Sequence, residues 1–475
     1  RVFAYRFLYN RVSIVKLGSL MRSLVTALII ALSLGSQHAL AISADDLATR
    51  EGEVIFGQAW LKSMRGRLGE RMDPLCIDLL ETWLTRLKNQ FELGAMPMTA
   101  LCLNSQDFNA FAAPGGIVGV NRGVYLDLAT ESEIMAVLAH ELAHLAQRHH
   151  YRGLKNSQRL STGTLATLAG VVAAIATRQG QAAQSLIMGG QAANATAALA
   201  YSRDYEREAD RIGVTALAGA GYPPEAMASV LHILAEKQAQ TTQDLAFLST
   251  HPLGIERQSD LDARVAQMQD PRDGQPVLSP TDFQLFRCIQ TEGLEFPTGK
   301  QATQSCSEIH ALLADYRSER YEQALNQFDQ LPDAVRQTFS GLDLEIALTL
   351  QTGDFDRSRE AIETIALFFP SWVQPTIAAV DLAIAEADAK LPRALREQLV
   401  QRPERLDLWR ALARFAQAFK QDHLLFEARS WDALLHGKLE AAKMQMVRAQ
   451  EVWPKTVDSR PLDLLKDAIK QTETL

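Results

Sequence analysis

"VLAHELAHLAQRHH", residues 137–150, places two histidines four positions apart around a glutamate and ends on two more histidines. Upstream, Thr130 followed by Glu133 is a capping box, and Leu138, Leu142 and Leu145 mark one face. The stretch therefore reads as a capped amphipathic helix. On such a helix His140 and His144 project from the same face one turn apart. That spacing lets both imidazoles reach one ion, and neutral imidazole suits zinc. Glu141 then stands beside the metal, turned away from the two ligands. From there it can take a proton from an attacking water and pass it to a leaving amine. H-E-x-x-H is thus a spacing with an assigned chemistry. His149 and His150 fall five and six residues beyond His144, off the ligand face, and read as a solvated helix end.

A catalytic zinc site needs a third protein ligand and an open fourth position. "SRDYEREADRIG", residues 202–213, offers Glu206 and Asp210 on one helix face. Glu206 is the candidate third ligand. Asp210, grouped with Glu141 as a catalytic residue, would accept a hydrogen bond from a ligand histidine and fix its tautomer. Glu208 points away from Glu206 and would face solvent or Arg211. Arg203 is a weaker candidate for a structural ion pair.

The chain has 475 residues, 47% hydrophobic and 22% charged, which fits a globular protein of two or three domains. A net charge of −8 supplies no general basic surface, so nucleic acid is not an expected partner. "MRSLVTALIIALSLGSQHALA" from Met21 has a positive start, an apolar run over 24–35 and Ala39-Leu40-Ala41. It reads as a cleaved secretory signal, with the start at Met21 and cleavage after Ala41; an uncleaved anchor is the alternative. In an oxidising compartment Cys76, Cys102, Cys288 and Cys306 would form disulfides, with three pairings open. Local pairing, 76 with 102 and 288 with 306, keeps each loop inside one expected domain.

Residues 45–95 carry two amphipathic helical patterns, and 96–126 alternate apolar and turn-forming residues around Pro114-Gly115-Gly116. The second stretch is expected to form a small antiparallel sheet. Residues 160–200 are small and low in charge, suited to burial, to covering a site or to shallow membrane contact. A helix through 201–221 should stop at Gly221-Tyr222-Pro223-Pro224, with another over 225–240. Residues 271–304 read as a linker. Beyond 305 the pattern is helical pairs, with Tyr321 and Phe355 standing 34 residues apart and a looser echo at 434–454. That period suggests tetratricopeptide (TPR) repeats, stacked into a solenoid that binds partner proteins. The fold class is therefore mainly α: a metallopeptidase domain with a small sheet over 42–270, then an α-solenoid over 305–475.

"HELAH" followed further along by "EREAD" resembles the gluzincin metallopeptidases of the HtpX and CAAX prenyl protease group. With an export signal and C-terminal repeats, the resemblance narrows to the periplasmic BepA type. "NAFAAPGGIVGVNRGV", residues 109–124, is similar to a strand that lies beside the metal helix in that group. The resemblance implies that Asn109, Ala110, Phe111 and Ala112 would pair with an extended substrate strand. "STHPLGIERQSDL" is similar to a family loop that brings a histidine, here His251, to the metal. His251 could fill the fourth zinc position and hold the enzyme latent, or stabilise an oxyanion once displaced. The resemblance further implies one zinc per chain and unfolded or misassembled outer-membrane proteins as substrates. It places the protein in the periplasm, with the β-barrel assembly machinery as a partner of the repeats. A chaperone or assembly adaptor with a largely latent protease is the alternative.

Overall fold

The computed structural model describes residues 46–156, 203–240, 246–268, 274–294 and 304–474. The expected export signal and the small-residue stretch over 160–200 lie outside the described residues. No helix among the described residues is long and apolar enough to cross a membrane.

The first two helices follow from their caps and apolar spacing. In α1, Arg50–Met64, Thr49 accepts from the Gly52 amide, and Phe56, Trp60, Leu61 and Met64 are buried along one face. In α2, Pro74–Lys88, Asp73 caps the Cys76 amide, proline opens the first turn, and Leu79, Leu80, Trp83, Leu84 and Leu87 enter the main core.

Three strands follow: β1 (Thr99–Leu103), β2 (Ala110–Ala113) and β3 (Ile117–Asn121), in the order β1-β3-β2. The sheet is mixed, not antiparallel as the alternation suggested. β2 and β3 form the antiparallel hairpin, whereas β1 runs parallel to β3. Alternation marks strands but does not say which neighbour each one takes. The hairpin turns through Gly115 and Gly116, both at positive φ (84° and 81°). A Cβ on Gly116 would also lie 1.9 Å from the Pro97 carbonyl oxygen, so only glycine fits.

Helix α3, Glu131–Ala146, carries the H-E-x-x-H residues. Its capping box is present, with Thr130 accepting from the Glu133 amide and Glu133 accepting from the Thr130 amide. The helix is not amphipathic in place: every residue from Glu133 to Leu145 is buried. It contacts α2, β2 and two later helices, α5 (Arg203–Gly219) and α6 (Glu225–Gln240), which together cover its faces. A helix enclosed in this way tolerates apolar residues all round. After α3 the chain bends at Arg148, in the left-handed region at φ 55°, and starts α4, His149–Asn156. A single turn at Ala246–Thr250 and helix α7, Ile255–Val265, complete this half.

The expected linker contains α8, Pro280–Thr291, capped by Ser279. Phe283 and Phe286 bury against Trp83, and Phe286 also meets Tyr125. The Pro- and Gly-rich lead-in hid a helix start, since Ser-Pro is itself an N-terminal signal. Disulfides join Cys76 to Cys102 and Cys288 to Cys306, the local pairing.

From Gln304 to Thr474 the elements are all helices, most of them packed against the next along the chain and joined by short turns. Tyr321 and Phe355 each open the second helix of a pair. Gly353, left-handed at φ 84°, closes the helix before Phe355. Helices continue to pack in succession through 374–435. This half is bound to the first by α2: Trp372 donates to Thr82 at 3.0 Å, and Asp78 accepts from the Val373 and Gln374 amides at 2.7 Å each.

Candidate metal centre

Helices α3 and α5 cross with their small faces together. Gly213 of α5 approaches the Ala139 backbone so closely that an added Cβ would lie 3.2 Å from its carbonyl oxygen. This contact brings Glu206 and Asp210 against His140 and His144. The loop after the Ala246–Thr250 turn adds His251, stacked on Phe247 with ring centroids 4.6 Å apart.

One ligand atom from each of His140, His144, Glu206 and His251 falls within 4.8 Å of the other three, and all four residues are buried. The Nε2 atoms of His140 and His144 are 3.0 Å apart. His251 Nδ1 lies 3.4 Å from His140 Nε2 and 3.2 Å from Glu206 Oε1. Glu206 Oε1 is 3.4 Å from His144 Nε2. Tetrahedral ligands held at about 2.0–2.2 Å from zinc stand about 3.3 Å from one another, so the donor set fits that metal. Among the described residues, two buried acceptors also lack hydrogen-bond partners, Glu141 Oε1 and Glu206 Oε2. Arg257 Nη1 lies 2.8 Å from Glu206 Oε2, but off the hydrogen-bonding direction, so it screens that oxygen without satisfying it.

The electrostatics favour a cation at the centre. Burial resists charge on Glu206, yet His251, His144 and His140 together hold its carboxyl well below the usual range. Burial likewise opposes charge on His140, but hydrogen bonds to Asp210 and Glu206 push it up to about 10. His144 is driven far down by burial, and Glu141 is raised by burial against the pull of His251.

The surrounding contacts fix this group. His140 Nδ1 meets Asp210 Oδ1 at 3.0 Å. Arg257 grips Asp210 with Nε and Nη2 at 2.7 and 2.8 Å and donates to the Pro252 carbonyl at 2.9 Å. Arg257 thereby ties the His251 loop to α5, a role its charge alone did not signal. Arg203 is exposed at the start of α5 and takes part in none of the ion pairs among the described residues.

His149 and His150 are not a solvated helix end. His149 is fully buried, with Nδ1 at 2.8 Å from His144 Nδ1 and Nε2 at 3.1 Å from Glu208. His150 Nε2 donates to the Ala112 carbonyl at 2.9 Å, and burial pushes its imidazole down to about 4. Glu208 is half-buried and pairs with His149 and Arg152 instead of Arg211. The expectation failed because it extended α3 straight through Arg148. The left-handed turn there redirects the chain, held by Arg148 bonds to Glu53 and to the Leu47 and Ala48 carbonyls. A Gly or Asn would have flagged such a turn; an arginine gives no signal.

Strand β2 is the sheet edge beside α3, but it is buried. Asn121 donates to the Asn109 carbonyl, so Ala110 and Ala112 turn their backbone groups away from β3. At Ala112 both groups are occupied, the amide by Glu141 Oε2 at 3.0 Å and the carbonyl by His150.

Residues 79–265 match the model of peptidase family M48. They form a peptidase family M48 domain. Zinc is the metal of this family, and the buried His140, His144, Glu206 and His251 could hold one such ion; a mostly helical region follows the matched residues. A putative beta-barrel assembly-enhancing protease of Vibrio cholerae is 33% identical over 226 residues, covering 47% of this chain and 46% of the relative. The beta-barrel assembly-enhancing protease of Escherichia coli is 30% identical over 280 residues, 56% of each. Mitochondrial metalloendopeptidase OMA1 of Schizosaccharomyces pombe is 30% identical over 166 residues, 35% of this chain and 46% of the relative. The chain thus spans about half the length of the beta-barrel assembly-enhancing proteases it matches.

Proposed function

We propose that this protein is an exported zinc endopeptidase acting on outer-membrane proteins, cutting those whose assembly stalls or misfolds. The observation that carries the reading is the buried convergence of His140, His144, Glu206 and His251 beside Glu141. His140, His144 and Glu206 would hold the zinc, which when bound polarises a carbonyl and acidifies water. Glu141 accepts the proton of the attacking water and delivers it to the leaving amine. Asp210 orients His140. Release of the Ala112 amide by Glu141 and of its carbonyl by His150 would open the edge of β2 over Asn109–Ala112 to an extended substrate strand.

The names of the bacterial relatives support the substrate class. Unassembled β-barrel precursors expose unpaired strand edges, which an edge strand can capture. The two disulfides support an oxidising compartment, the periplasm, reached through the signal over 21–41. The paired helices after 304 are consistent with TPR-like repeats, which would hold substrates or contact the barrel assembly machinery.

A second reading rests on His251. With four protein donors, a site has no open position for water, so the protease would be silent at rest and the helical region would act as an assembly adaptor. Casein cleavage by wild type, Glu141→Gln and His251→Ala separates the two. The enzyme reading expects cleavage in wild type or after His251→Ala, and its loss with Glu141→Gln while zinc stays bound. No cleavage by any of the three leaves the adaptor.

A further inference from the structure

The two histidines of the H-E-x-x-H helix are held from behind in different ways. His140 meets a carboxylate directly, through Nδ1 and Asp210. His144 Nδ1 instead faces a second imidazole, His149 Nδ1, at 2.8 Å. Two bare nitrogen lone pairs cannot face each other at that distance, so one of the two nitrogens carries the proton between them. Which one is decided further out. His149 Nε2 lies 3.1 Å from Glu208 Oε2, an acceptor only, so it is the protonated nitrogen of that ring. With His144 Nε2 given to the metal, the ring proton of His144 sits on Nδ1, and His149 is the neutral ring that accepts it at a bare Nδ1. His144 is left with an unprotonated Nε2, the atom that faces His140 Nε2 and Glu206 Oε1.

We propose that His149 and Glu208 form a positioning relay that fixes His144 as its Nδ1–H tautomer and aims its Nε2 lone pair into the metal centre. The relay is built to stay in place. Tyr205 stacks on His149 with ring centroids 4.5 Å apart and an interplanar angle of 12°. Arg152 lies over the Tyr205 ring at 4.7 Å and donates to Glu208 at 2.9 Å. The left-handed Arg148 turn is what brings His149 back beneath His144. Replacing the outer partner of a metal-ligating histidine typically weakens metal binding about 10–100-fold.

The inference rests on zinc occupying the proposed site, and the test separates the two. Zinc affinity would be measured by competition with a chromophoric chelator for wild type, His149→Ala, His149→Asn and Glu208→Ala, alongside absorption spectra of the cobalt-substituted proteins. His149→Ala should bind zinc about 10–100-fold more weakly and shift the cobalt bands. His149→Asn should recover most of the affinity, because its carbonyl can accept the His144 Nδ1 proton. Glu208→Ala, at a half-buried position, should give a smaller loss in the same direction. A merely structural role would lower thermal stability without separating Asn from Ala. Equal affinity in Ala and Asn overturns the relay, as does wild-type affinity in Glu208→Ala, which decides alone if His149→Ala does not fold. Wild type that binds no zinc overturns the metal-site reading instead.

Discussion

Two groups of buried charge can be set side by side, Asp78 with Arg405 and Glu206 with His140 and His144. At Asp78 every oxygen is used: Oδ1 accepts from Arg405 at 2.8 Å, and Oδ2 accepts from the Val373 and Gln374 amides. Arg405 spends its remaining donors on Asp407 and Glu81. That group is closed and joins α2 to the C-terminal helices. At the metal centre the outer contacts are as complete, with Arg257 on Asp210, Asp210 on His140 and His149 on His144. The inner atoms are not. Glu141 Oε1 and Glu206 Oε2 lack hydrogen bonds among the described residues, and ring nitrogens crowd one point. A saturated charge cluster is scaffold, whereas one finished outside and open inside is built to receive something.

The largest expected effect falls on the open group. In a His251→Ala background, Glu141→Gln should lower casein cleavage about 10²–10⁴-fold, the range for a lost general base, with zinc content unchanged. Unaltered cleavage would remove Glu141 from the chemistry. On the closed group, Arg405→Ala should cost about 3–5 kcal/mol in urea unfolding, because it leaves the buried Asp78 carboxylate without its countercharge. A loss under about 1 kcal/mol would mean that water reaches the cluster, and the contrast between the two groups would weaken.

Metal removal comes next in size. Zinc at 100 times its dissociation constant should stabilise wild type by about 2.7 kcal/mol against unfolding. His144→Ala should lose that response, while Arg405→Ala should keep it. The smallest effect sharpens the role of the fourth donor. His251→Ala should raise casein cleavage by about tenfold, equal to about 1.4 kcal/mol of barrier. A fall would instead assign His251 to stabilising the transition state.

What could be read from sequence follows the range of the interactions. His140 and His144 share a face through helical periodicity, a local rule, and the Thr130–Glu133 box and the Asp73-Pro74 helix start are local too. Glu206 was reachable because a zinc site demands a third ligand and α5 offered a carboxylate pair. The β1–β3 pairing was not legible, since it depends on how residues 104–109 cross back. Nor was the burial of His149, which depends on one positive φ at Arg148. The helix α8 was masked by the turn-rich residues just before it, although Phe283 and Phe286 carried its apolar face. Tyr321 and Phe355 announced helix starts in the C-terminal half, while the pairs over 374–435 carried no aromatic at the same position and were readable only from the structure.

The most direct test is X-ray absorption at the zinc edge together with zinc content, on wild type and Glu206→Gln. One zinc per chain, with nitrogen and oxygen neighbours at about 2.0–2.2 Å and sharply reduced occupancy in Glu206→Gln, is the expected result. Wild type without zinc, a sulfur neighbour at about 2.3 Å, or full occupancy in Glu206→Gln would contradict it.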